Sequence, residues 1–114
     1  MINTRKFGIE IEFVNANRET LAQKLVANGI PCFYEGYNHT TRGHWKIVTD
    51  ATVRGGYELV SPPLQGEAGL LEVKKVLAIN TIFSVDINSI KNILRTPGNE
   101  DMYLNAKETQ IWTW

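Results

Sequence analysis

From His44 to Pro63 the chain reads His-Trp-Lys-Ile-Val-Thr-Asp-Ala-Thr-Val-Arg-Gly-Gly-Tyr-Glu-Leu-Val-Ser-Pro-Pro. This pattern predicts strand, turn, strand. Trp45, Ile47 and Thr49 alternate with Lys46, Val48 and Asp50, the period of two that gives a strand two distinct faces. Arg54-Gly55-Gly56 supplies the turn, because glycine takes positive φ without steric cost. The return strand, Tyr57 to Ser61, ends at Pro62-Pro63, which cannot donate to a ladder. Glu58 lies inside that apolar return strand, either on the wetted face of a sheet or in a site.

Upstream, Lys6 to Val14 alternates in the same way. Phe7, Ile9, Ile11 and Phe13 share one face, and Gly8, Glu10 and Glu12 share the other. Asn15 or Asn17 is placed to cap a helix to about Asn28, with Leu21, Leu25 and Val26 as its apolar stripe beside Ala22. Gly29 suits the position after the helix, and Ile30-Pro31 stops it. Cys32 to Tyr34 reads as a short strand and 35–43 as a mobile polar loop. Downstream, Leu70, Val73 and Leu77, widened by Leu71 and Val76, predict a helix over 67–80 with Glu72, Lys74 and Lys75 on its wet side. Thr81 to Val85 reads as a short strand. A third helix, capped by Asp86 or Asn88, runs to about Arg95 with Ile87, Ile90, Ile93 and Leu94 apolar. A last hairpin joins 102–104 to 109–114. The expectation is a single α+β domain, a mostly antiparallel sheet with two to three helices packed on one face.

The 114 residues suffice for one core, and Lys+Arg and Asp+Glu number 12 each. Zero formal charge argues against generic nucleic-acid binding, which needs a basic excess. Cys32 is the only cysteine, so no internal disulfide forms, as expected of a reduced cytoplasmic setting. No apolar run approaches the roughly 20 residues of a membrane span, and the N-terminus lacks the apolar core of a secretory signal.

The candidate chemistry is carboxylate chemistry. Glu10 and Glu12 stand about 6.6 Å apart along one strand face. If that strand pairs near the central hairpin, Glu58 joins them, with Asp50 as an outlier. A hard cation such as Mg²⁺ takes oxygen ligands of this kind, and Lys46 and Arg54 would hold phosphate oxygens nearby. The same spacing also fits the solvated half of an alternating strand. Cys32, His39 and His44 fit no standard zinc spacing, and Cys32 between Pro31 and Phe33 reads as packing. Trp45 and Tyr57 read as core, whereas Trp112 and Trp114 form either a docked tail or a partner contact.

Three blocks then stand in order: Gly8-Ile9-Glu10-Ile11-Glu12-Phe13, Trp45 to Asp50-Ala51-Thr52, and Gly56-Tyr57-Glu58-Leu59-Val60-Ser61-Pro62-Pro63 before a helix. In this order they resemble the amidoligase family, carboxylate–amine ligases of glutamine-synthetase-like fold. The resemblance covers roughly residues 1–80, leaving 81–114 as a divergent segment. It implies ATP-dependent amide formation, in which a carboxylate is phosphorylated and an amine attacks the acyl phosphate. It implies Glu10, Glu12 and Glu58 as metal ligands, Asp50 as the acid of the second block and Thr52 at its hydroxyl position.

The family's later Gly-x-His-x-His strand has no counterpart here, since no histidine follows His44. The expectation is therefore a catalytically incomplete amidoligase-like protein that works by binding a protein or nucleoprotein partner. Small proteins of this kind are often phage-encoded inhibitors of host defence, anti-CRISPR proteins among them. Its expected contact surface includes Tyr37, Arg42, Trp112 and Trp114. The alternative is a Mg- and ATP-dependent ligase, its site completed by homo-oligomer assembly.

Overall fold

The structure is a computed structural model in which residues 5–14, 17–49, 56–79, 85–95, 102–104 (backbone) and 109–113 are described. The elements run β1 (Lys6–Phe13), α1 (Arg18–Ala27), β2 (Cys32–Tyr34), β3 (Trp45–Thr49), β4 (Tyr57–Val60), β5 (Leu64–Gln65), α2 (Gly66–Ile79), α3 (Ile87–Arg95), β6 (Met102–Leu104) and β7 (Thr109–Thr113). The sheet order is β2-β3-β4-β1-β7-β6, with β5 added to the start of β1. Every pairing is antiparallel except β2 with β3. The fold is α+β, as its alternation predicts.

The predicted hairpin forms, with Lys46 opposite Val60 and Val48 opposite Glu58. Phe7, Ile9, Ile11 and Phe13 are all buried, as are Trp45, Ile47 and Leu59 from the neighbouring strands. Leu21, Leu25, Leu70, Val73, Val76, Ile90 and Leu94 close over them from the three helices. Asn17 caps α1 by accepting from the backbone N–H groups of Glu19 and Thr20, and Gly29 follows it at φ +81°. Asp86 caps α3 through the N–H of Asn88. No described helix is long and apolar enough to cross a membrane.

Three expectations need correction. Val26 and Leu71 are 54% and 64% exposed, because the core accepts a narrower stripe of each helix than the full set of apolar positions. Glu72 is not on the wet side: it accepts a 2.8 Å hydrogen bond from the buried indole of Trp45. Pro62-Pro63 interrupts the ladder rather than ending it. Ser61 bridges the gap, its N–H donating to Ile9 O and its Oγ accepting from Ile9 N, both at 2.9 Å, and pairing with β1 resumes at β5. The turn with Arg54, the residues Asp50 and Thr52, most of the strand expected over 81–85, and Trp114 lie outside the described residues.

Candidate functional site on the open sheet face

Helices cover one side of the sheet, so chemistry belongs on the other. There β1 presents Glu10 and Glu12, β4 presents Glu58, β3 presents Lys46, and β7 presents Gln110 and Trp112. The register sets Glu12 directly opposite Glu58, with Glu10 diagonal to Glu58. The three acids named from the sequence therefore share one face of two adjacent strands. Glu10 and Glu58 hydrogen-bond side chain to side chain, which requires a proton on one of them. The Glu10 carboxyl is pushed up to about 8, first by burial and then by the charge and hydrogen bond of Glu58, against an opposing pull from Lys46.

The parallel pairing of β2 with β3 explains what lies above this face. Two adjacent parallel strands need a connection that returns the full strand length. Here no helix makes it, and residues 35–44 cross the open face instead. The loop read as mobile is tied down at several points. Lys46 Nζ donates to Asn38 Oδ1 at 2.7 Å and to Thr40 O at 2.6 Å. At the loop base Glu35 accepts from Arg42 Nε at 2.8 Å and pairs with His44 Nε2 at 2.5 Å. Desolvation would raise the Glu35 carboxyl, but these two partners outweigh it and hold it below the usual carboxylate range. Burial lowers the Lys46 ammonium, partly offset by the charge of Glu35.

Between loop and sheet lies a cavity of about 350 Å³, lined on the sheet side by Glu10, Lys46, Val60 and Trp112 and on the loop side by Asn38 to Arg42. Trp112 enters it opposite Gly8, which has no side chain to occupy the space. Asn38, Thr40 and Ser61 are the polar groups that sequence reading missed. Asn38 and Thr40 arrive through a crossover geometry that no residue pattern encodes, and Ser61 through the break in the ladder at Pro62-Pro63.

The remaining candidates separate. Cys32 is buried and its thiol is pushed up to about 12 by burial, with the Glu35 charge adding, so it is inert. His39 pairs with the Tyr37 hydroxyl at 2.8 Å and His44 with Glu35. Among the described residues no group of three or more His, Cys, Asp and Glu is arranged to hold a metal ion. Mg²⁺ asks less, commonly one or two carboxylates completed by substrate phosphates. The Glu10–Glu58 pair suits that demand in donor chemistry, with Glu12 across from Glu58. Of the expected contact residues, Tyr37 is 60% exposed, Arg42 lies at the cavity rim, and Trp112 is half-buried within it.

The sequence matches the family described as "Putative amidoligase enzyme" over residues 3–80, and the chain belongs to that family. No curated protein and no solved structure matches it.

Proposed function

We propose that this amidoligase-family chain is a binding protein that has kept the ligase front half as scaffold, without completing the catalytic site. One observation carries the reading: the ionisable groups of the open face already have protein partners, Glu10 with Glu58 and Lys46 with two neutral oxygens of the loop. Burial and the neighbouring Glu58 push the Glu10 carboxyl up, toward its protonated form, and the Lys46 ammonium is held by the loop. A ligase site instead presents ionised carboxylates and free cations to nucleotide phosphates. The partner is a protein or nucleoprotein, met through the exposed aromatics Phe33, Tyr34 and Tyr37 with Arg42, and through Trp112 and Trp114. A phage-encoded, anti-CRISPR-like inhibitor of a host defence complex is the form of this role that fold analogy suggests.

A second reading, a Mg- and ATP-dependent carboxylate–amine ligase, is favoured by the shared face of Glu10, Glu12 and Glu58. In it Glu10 and Glu58, as carboxylates, would hold a cation that neutralises phosphate charge, and Lys46 and Arg54 would orient the phosphates. Calorimetric titration of Mg-ATP into wild type and a Glu10→Gln/Glu58→Gln variant separates the two. No heat with either protein supports the binding role. Saturable binding to wild type, lost in the variant, overturns it in favour of the ligase.

A further inference from the structure

Lys46 is 4% exposed and lines the cavity, yet both oxygens it donates to are neutral: an amide and a backbone carbonyl. Among the described residues its ammonium forms no ion pair. An ammonium carries three donors, so one N–H remains for another acceptor. Glu35, Glu10 and Glu58 act on this charge only from beyond ion-pair distance, with Glu10 in the wall of the same cavity, and a buried charge without a directly bonded counter-ion is costly to keep. Arg42 reaches the same cavity from the loop. Its Nε binds Glu35, which leaves the donors of its two terminal amino groups for other acceptors.

We infer that the cavity beneath residues 38–42 is an anion-binding site, in which Lys46 and Arg42 take the carboxylate or phosphate group of a small molecule whose body lies against Trp112 and Val60. The cation pair supplies charge-assisted hydrogen bonds, and Arg42 adds the fork that oxyanions match. About 350 Å³ sits at the small end of ligand pockets, and the Trp112 and Val60 walls give the apolar lining such sites share. Trp112 comes from outside the stretch that matches the family, so this wall belongs to the divergent part of the chain. An anion takes the third donor of an ammonium that already holds Asn38 and Thr40, so occupancy and the seating of the loop are coupled. The inference needs neither a macromolecule nor a cation on the carboxylates, although Arg42 and Trp112 stand among the proposed partner contacts as well.

The test is a titration followed by ¹⁵N NMR, without divalent metal, at constant ionic strength. Benzoate and inorganic phosphate are the probes, and tetramethylammonium is the cationic control. The expected result is saturable shifts at Thr40, Arg42 and the Trp112 indole with at least one anion and none with the control. Affinity falls at least tenfold in Lys46→Gln and severalfold in Arg42→Gln. Trp112→Leu weakens benzoate and spares phosphate if the guest is an organic acid, and phosphate binding tighter than benzoate assigns a phosphate. If Lys46→Gln fails to fold, the exposed Arg42→Gln decides. Saturation by tetramethylammonium, no saturation by either anion, or unchanged affinity in Arg42→Gln overturns the inference.

Discussion

Glu10 illustrates how one side chain's protonation reports on its neighbours. Its folded-state pKa of about 8 lies above that of an exposed glutamate. Between about pH 4.5 and 8 the unfolded chain therefore releases a proton that the folded chain keeps, so this residue makes stability fall as pH rises across that window and stay level above it. Glu10→Gln removes the effect. Thermal unfolding at pH 5 and pH 8.5 is expected to show wild type losing more stability than the variant, by about 1–2 kcal/mol after allowance for solvent screening. Equal losses in both proteins would mean that the carboxyl titrates normally. Gly69 makes a second residue-scale case. A Cβ there would stand 2.9 Å from Leu64 Cβ and 3.1 Å from the Phe7 ring. Alanine ordinarily gains ~1 kcal/mol over glycine within a helix, and overpacking costs about 1–3 kcal/mol. Gly69→Ala is therefore expected to lose about 1 kcal/mol in denaturant titration, and a stabilised variant would show that α2 can shift away from β5.

Elements with one buried and one open face were legible in the sequence because their period is written in residue type. β1 is the clearest, its four apolar positions all buried and its acids all on the other side. The candidate site was legible to the same depth: Glu10, Glu12 and Glu58 fell on one face because register follows from alternation. What sequence did not convey were the choices made between elements. Val26 and Leu71 are as apolar as their buried neighbours, and only packing decides which reach the core. β5 is two residues long and anchored through Ser61, too short for any periodicity. Glu72 looked like surface charge because its partner, the Trp45 indole, lies 27 residues away in sequence. That contact ties α2 to β3. Glu72→Ala leaves a buried N–H without an acceptor, so it is expected to destabilise by about 1–3 kcal/mol, well beyond an ordinary helix-surface change. An effect under about 0.5 kcal/mol in chemical denaturation would show that water replaces the carboxylate.

For the whole molecule the sheet order matters more than the extent of the family match. The match ends at residue 80, yet β7 lies between β1 and β6 and pairs with β1 from Phe7 opposite Thr113 to Ile11 opposite Thr109. Ile90, Leu94 and Ile111, all beyond the match, are among the most deeply buried side chains. Without them β1 would expose an unpaired edge and the core cluster would lose Ile90 and Leu94 of α3. A chain cut after residue 80 is thus expected to lack a cooperative thermal transition and to bind a hydrophobic dye, whereas the 114-residue chain is expected to melt in one step. Ile111→Ala in the full chain gives the graded version, a loss of about 2–5 kcal/mol. If residues 1–80 instead gave a dispersed NMR spectrum and a sharp melt, the C-terminal segment would be an addition to a self-sufficient fold. It would then shape the cavity through Trp112 without supporting the sheet, and Ile111→Ala would cost far less than a core position should.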